Sequence, residues 1–384
     1  MSQSNNAQEQ AADRAAAAGD PATAARLLED AIAVQPDRPA LWAKLSAMRR
    51  VLGDAPAALA AIDRALEIQP LDFSALLARA FLLERAGDPR AGEAFCHALA
   101  QEPAAEEIPP AMVKAVDHAR QRSVSHQAAK EAQMLRAVAD VPEGTERARI
   151  ERFISNSSRR TRHFHQEPTH FHYPGLPEIE FHDRALFPEL TGLERQTAAI
   201  RREFDALIAA EAAEMVPYIQ YPDRVPLRQW QKLNNSRDWS AIHLLQNGRR
   251  ILANARRCPR TMAAVGALPQ PNVPGASPNA MFSLLAPRTR IPAHTGVANT
   301  RLVCHLPLIV PPGCGFRVGD SVREWREGEA FVFDDTIEHE AWNDSDQLRV
   351  ILILDLWPAA LGAVERVAVS QAIAAAGVGF SGEL

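Results

Sequence analysis

The stretch Phe333-Asp334-Asp335-Thr336-Ile337-Glu338-His339-Glu340-Ala341-Trp342-Asn343 decides how the second half of the chain is read. A short apolar run ends in a polar Asp-Asp-Thr turn, and a histidine then stands at the edge of another short segment. Working outward, the β-rich runs Ala280–Leu285, Thr300–Leu308, Gly315–Val318, Ala330–Phe333 and Arg349–Leu356 alternate with Gly, Pro and Asp turns. Short strands at regular spacing, with a period near two, predict a sandwich or barrel. Before them, Pro188 to Met215 reads as helix. After them, Leu361 to Ala376 reads as an amphipathic helix whose partner, its own barrel or a second chain, the pattern leaves open.

The first third has a different period. Gly19-Asp20-Pro21, Gly53-Asp54-Ala55 and Gly87-Asp88-Pro89 recur every 34 residues, and Pro36, Pro70 and Pro103 close the units. Ala24 matches Ala58, and Ala31 matches Ala65. Glycine supplies the turn between paired helices, proline stops the second helix, and small residues allow close packing. This pattern resembles the tetratricopeptide repeat family over residues 10–103, with Trp42 at the aromatic opening of the second unit and Leu76 at that place in the third. The resemblance implies an α-helical solenoid that docks a peptide or protein partner, or serves as a spacer.

Domain limits follow from these changes of character. Residues 1–108 read as the repeat domain, residues 109–160 as a helical linker, and residues 161–384 as the domain that carries chemistry. Within the linker, Met112 to Ala139 and Thr145 to Ile154 read as helices around the turn Val141-Pro142-Glu143-Gly144. Next come His163, His165, His170, His172 and His182. Alternating His-x-His suits a metal, but the interleaved Phe164, Phe171, Tyr173 and Pro174-Gly175-Leu176-Pro177 favour an extended segment packed on a domain edge.

Composition excludes several classes. The chain has 384 residues, 47% hydrophobic and 23% charged, which is ordinary for two or three globular domains. A net charge of −5 gives no footprint for nucleic acid. Cys96, Cys258, Cys304 and Cys314 show no Cys-x-x-Cys spacing, which argues against a disulfide framework or structural zinc and fits a reducing, cytoplasmic setting. The polar start Met1 to Asn6 lacks the apolar core of a signal peptide, and no apolar run of membrane-spanning length occurs.

The remaining signal is a constellation. His294 and His339 stand at separate strands, and Arg349 opens the last strand. Two imidazoles leave open positions on iron, and a fixed guanidinium suits a dicarboxylate, which is what an Fe(II)/2-oxoglutarate oxygenase requires. Residues from about 170 to 358 resemble the aspartyl/asparaginyl β-hydroxylase family. The motifs that carry the resemblance are Tyr173-Pro174-Gly175-Leu176-Pro177, Trp239-Ser240, His294-Thr295-Gly296, Asn299-Thr300-Arg301-Leu302, His305-Leu306, Glu327-Gly328, Phe333-Asp334-Asp335-Thr336, Glu338-His339-Glu340 and Arg349-Val350.

The resemblance implies a double-stranded β-helix, a cupin-like jelly roll with flanking helices, so that the whole chain is a multidomain α plus β protein. It implies Fe(II) held by His294 and His339, with O2 and 2-oxoglutarate as cosubstrates. Ser283, His305 and Arg349 would contact 2-oxoglutarate, and Arg301 and Trp239 the substrate. Gly296 stands where most such oxygenases carry an aspartate ligand, which resembles the peptide-hydroxylase branch more than the lipid-acyl branch. Val303 stands where the animal enzymes carry a second substrate-side arginine, which makes asparagine or another side chain more plausible than aspartate.

Asp335 and Glu338 read as strand-end turn residues, with metal ligation as the alternative. Trp239 and Trp342 fit pocket walls or ordinary core equally. The expected activity is β-hydroxylation of an Asp- or Asn-type residue in a peptide or protein. The alternatives are hydroxylation of a free small molecule, or a non-catalytic cupin-like adaptor. Oligomeric state stays open, a homo-oligomer included.

Overall fold

The repeat glycines and the first two repeat aspartates have separate tasks in the computed structural model, which describes residues 2–211, 213–222 and 228–377. Gly19, Gly53 and Gly87 adopt φ of +79°, +80° and +66°, the left-handed conformation that ends a helix. Asp20 and Asp54 then cap the next helix, each accepting the backbone N–H three residues on, at 3.0 and 3.1 Å. The helices are α1 (Ser2–Ala17), α2 (Pro21–Val34), α3 (Pro39–Val51), α4 (Ala55–Ile68), α5 (Phe73–Arg85) and α6 (Ala91–Leu99). The recurrent Ala24 and Ala58 are fully buried, as the small-residue pattern requires.

Two further helices, α7 (Val113–Ala137) and α8 (Thr145–Ser157), complete this part. Val116 and Ala119 of α7 share a core with Phe95 of α6, so the first long helix of the segment read as a linker packs on the repeats. The chain divides into two compact units, Met1–Thr161 and Arg162–Leu384.

In the second unit, residues 163–182 form the extended segment expected of the histidine-rich stretch. Bridges join Gln166 to Ile337, Phe171 to Ala298 and Phe181 to Phe333. Helices α9 (Leu190–Glu194) and α10 (Thr197–Ala209) replace the single predicted helix Pro188–Met215; its Ala212 lies outside the described residues, as do Met1 and residues 378–384 of the predicted domains. The strands are β1 (Val216–Pro217), β2 (Trp239–Gln246), β3 (Arg249–Arg250), β4 (Ala280–Leu285), β5 (Thr289–His294), β6 (Leu302–Ile309), β7 (Cys314–Val318), β8 (Ser321–Arg323), β9 (Phe331–Phe333), β10 (His339–Asn343) and β11 (Arg349–Leu356). Helices α11 (Leu252–Ala255) and α12 (Pro259–Gly266) follow β3, and α13 (Ala363–Ala376) follows β11.

Two antiparallel sheets result. One runs β1-β2-β4-β11-β6-β9 with β3 on β2, and the other runs β5-β10-β7-β8. The period of two sorts the side chains of the larger sheet. Phe282, Leu306 and Leu352 pack on one face against Ile200 and Phe204 of α10 and Val265 of α12. Leu285, Val303 and Ile351 turn to the other face and meet Ile291, Phe316 and Ala341 of the smaller sheet. The space between the sheets holds the cavity described below. Among the described residues no helix is long and apolar enough to cross a membrane.

Burial pushes His182 and His243 down to about 4, because desolvation penalises the imidazolium. Each takes up its proton near pH 6.5 when unfolded and only near 4 when folded. The unfolded chain therefore binds more protons between those values. Stability is complete above pH 6.5 and declines as pH falls towards 4. Within that window each histidine should lower the unfolding free energy by up to about 1.4 kcal/mol per pH unit. Urea melts from pH 7 to 5 check this. His243→Leu should flatten the decline, and an equal slope in the variant would contradict it.

Candidate active site

The odd-numbered residues of three neighbouring strands share the inward face of the larger sheet. Ser283 on β4, Val303 and His305 on β6, and Arg349 on β11 thereby line one cavity. From the smaller sheet, His294 ends β5 and His339 begins β10. They are register partners, with ring centroids 4.1 Å apart. β5 is an edge strand, which is why it tolerates Pro292. All seven residues expected at the site, His294, His339, Ser283, His305, Arg349, Arg301 and Trp239, lie in the wall of this cavity.

The histidines are fixed in tautomer by their neighbours. His294 Nδ1 lies 2.8 Å from the Pro292 carbonyl, and His339 Nδ1 lies 3.1 Å from the Ile337 carbonyl. A carbonyl only accepts, so each Nδ1 carries the proton and each Nε2 keeps its lone pair. Burial holds both rings neutral, His339 down to about 4 and His294 well below its ordinary value, with His339 beside it adding to the effect. His305 has the opposite tautomer. Trp325 Nε1–H donates to its Nδ1 at 3.2 Å, which leaves Nε2–H as a donor. Burial and the Arg349 charge keep His305 neutral.

The two buried arginines differ in kind. Arg301 reaches Asp335 at 3.0 Å and Asp355 at 3.4 Å, and all three are buried. Asp355 is held in turn by the Ser277 hydroxyl at 2.7 Å and the Asn279 backbone N–H at 2.8 Å. Arg301 thus lies in the cavity wall, as expected, but two carboxylates hold its guanidinium and no free charge faces a substrate. Arg349 has no carboxylate partner among the described residues. Its Nη1 reaches only the Ser283 hydroxyl, at 3.4 Å, its guanidinium carbon lies 5.1 Å from the centre of the Trp325 ring, and its Nε has no partner. Burial pushes its pKa down to about 10.

Gly296 and Asp335 fit one another. A Cβ at Gly296 would fall 2.2 Å from Asp335 Oδ2, so no side chain fits there while Asp335 pairs with Arg301. Asp335 does lie in the turn after β9, as read, but inside the protein and not at its surface. It is buried, its pKa is raised chiefly by desolvation, and its Oδ1 has no partner. Glu338 instead pairs with Arg317 at 3.0 Å, away from the cavity lining. Trp239 is a pocket wall, donating to Ser283 Oγ at 3.1 Å and stacking on Tyr218 at 3.7 Å. Trp342 is not, because it points to the opposite face of β10 and covers Gly315.

Sequence reasoning did not single out Trp325, Tyr218 and Asp355. Trp325 sits in the connection before β9, outside any periodic run, and Asp355 reads as the lone acid of an apolar strand. Only the paired arginine gives Asp355 its meaning.

Residues 194–358 match the family described as Aspartyl/Asparaginyl beta-hydroxylase. That match lies wholly within the second unit. An ornithine lipid ester-linked acyl 2-hydroxylase from Rhizobium tropici is 34% identical over 192 residues, covering 49% of this chain and 64% of that protein. Aspartate beta-hydroxylase domain-containing protein 2 from Homo sapiens is 33% identical over 207 residues, covering 52% of this chain and 53% of that protein. The chain thus spans less than two thirds of either relative. The repeat unit is similar to the Arabidopsis OM64 TPR domain, at 19% identity and a TM-score of 0.28, over 32% of this chain and 97% of that one.

The contrast between the arginines is measurable without any ligand. Arg301→Met leaves two buried carboxylates uncompensated and should cost about 3–5 kcal/mol in urea unfolding. Arg349→Met removes an unpaired buried charge and should leave the ligand-free protein as stable as the parent or more so. Equal destabilisation by both changes would contradict the assignment of partners.

Proposed function

We propose that the β-hydroxylase domain is an Fe(II)- and 2-oxoglutarate-dependent hydroxylase built on a double-stranded β-helix. The observation that carries this reading is the unpaired Arg349 guanidinium, buried in the same cavity as two neutral imidazoles with free Nε2 lone pairs. A buried cation without a counter-ion is costly, and a ligand carboxylate would relieve that cost.

The donor set fits the metal. His294 and His339 would hold Fe(II) through Nε2, their Nδ1–H groups steadied by backbone carbonyls. The open Oδ1 of Asp335 would accept from a water in the place that a carboxylate ligand at position 296 would otherwise fill. Bound Fe(II) supplies oxygen activation coupled to decarboxylation of the 2-oxo acid. The chain itself orients and protects. Arg349 and the Ser283 hydroxyl would hold the distal carboxylate, and His305 Nε2–H would donate to the carboxylate nearer the metal. Trp239 and Tyr218 keep water from that end of the cavity.

For the substrate, we read the β-carbon of an asparaginyl- or aspartyl-type side chain in a peptide or protein, with the tetratricopeptide repeats docking substrate or partner. Arg301 acts through Asp335 and does not bind the substrate directly. A second reading, hydroxylation of a free small molecule, gains support from Val303 and the neutralised Arg301, which leave no spare cation for an acidic substrate among the described residues of the lining. The relative named as an acyl 2-hydroxylase fits that reading too. Without turnover, the cavity would serve as a binding module.

Conversion of 2-oxoglutarate to succinate under Fe(II) and O2 tests the reading. His339→Ala should abolish it, and unchanged turnover would overturn the ligand assignment. Arg349→Met should raise the KM for 2-oxoglutarate by about 30-fold or more, equivalent to about 2 kcal/mol, because a buried charge pair is lost.

A further inference from the structure

We propose that His163, His165 and Glu178 form a second metal site, for a divalent first-row transition ion with zinc as the reference, outside the cavity and independent of its chemistry. In the extended segment, residues two apart lie on one side, so His163 and His165 project together past Phe164. Their ring centroids are 4.3 Å apart, and His163 Nδ1 lies 3.1 Å from His165 Nε2. Tetrahedral zinc about 2.0–2.1 Å from each of two nitrogens sets them about 3.3 Å apart, close to the spacing already present.

Glu178 supplies the third donor. Its Oε1 accepts the Gln166 backbone N–H at 3.0 Å, and its Oε2 lies 3.1 Å from His165 Nδ1, the ring nitrogen other than the Nε2 that faces His163. The carboxylate is therefore oriented before any ion arrives, and Nε2 stays the donor of His165 to the metal. One ligating atom from each residue lies within 4.8 Å of the others. Two imidazoles and a carboxylate, with water in a fourth position, form a donor set that zinc accepts. The neighbouring cation does not occupy the site. Arg162 stacks over Phe164 at 4.0 Å and its guanidinium lies 3.6 Å from Glu338. All three side chains are exposed, so binding buries no unpaired charge.

The position gives the site a consequence. His163 and His165 lie at one end of a loop and Glu178 at the other. Between them, Glu167 N–H donates to the Thr336 carbonyl at 2.8 Å and Thr169 N–H to the Gly296 carbonyl at 3.0 Å. The ion therefore clips both limbs of a strap that lies on the two loops beside His294 and His339. Binding to the folded form alone stabilises that strap by mass action.

The test uses the metal-free full chain and zinc chloride, titrated in competition with a chromophoric chelator. One zinc equivalent should be lost in His163→Ala/His165→Ala and kept in His294→Ala/His339→Ala. Glu178→Gln should weaken the same equivalent, with an unchanged circular dichroism spectrum. Zinc should also slow chymotryptic cleavage after Phe171 in the parent but not in the double variant. Equal zinc stoichiometry in the parent and His163→Ala/His165→Ala would overturn the site. So would a Glu178→Gln affinity equal to that of the parent, which stands as a readout even if the double variant fails to fold.

Discussion

A guanidinium buried with no carboxylate beside it among the described residues is the constraint on which the cavity turns. Arg349 sits at the start of a strand buried on both faces, where it costs stability in the absence of a ligand. The second guanidinium in the same wall, Arg301, lies between two carboxylates and is structurally complete. On the proposed function, the unsatisfied cation is the place where an anionic ligand would bind. The Ser283 hydroxyl and the Trp325 ring fix where that place is.

The rest of the wall follows from burial. Desolvation keeps His294, His305 and His339 neutral, and three different acceptors and donors set which nitrogen of each is free. The Arg301–Asp335 pair occupies the space above position 296, so glycine there is a packing requirement as much as a missing ligand. The strap of residues 163–182 holds the loops on which these groups depend. Gln166 bonds Asp334 on one loop and receives Asn299 Nδ2–H at 2.9 Å on the other.

What the sequence disclosed, and what it hid, divides by the range of the interactions. Ala280–Leu285 and Arg349–Leu356 were readable because apolar runs bounded by turns need no partner to be recognised. β2 is buried on both faces, mixes Ser240 and His243 with aliphatics, and shows no period. The break between α9 and α10 also carries no breaker residue. The repeat turns were readable, since glycine and aspartate act within one turn. The first unit, however, reads as lacking a full first helix, and the structure has α1 there, in a polar stretch with no apolar period. The Arg301 clamp was not readable, because its partners lie 34 and 54 residues away and no local pattern joins them. Trp342 shows the opposite limit. Its place beside His339 suggested the pocket, but strand alternation turns it to the other face.

The most direct measurement is anaerobic. Fe(II) is added to metal-free protein, and 2-oxoglutarate is titrated while the visible spectrum is recorded. The account predicts a weak metal-to-ligand charge-transfer band that saturates with 2-oxoglutarate, and whose titration moves to much higher concentration in Arg349→Met. Iron that binds without producing the band, or a titration that Arg349→Met leaves unchanged, would contradict it.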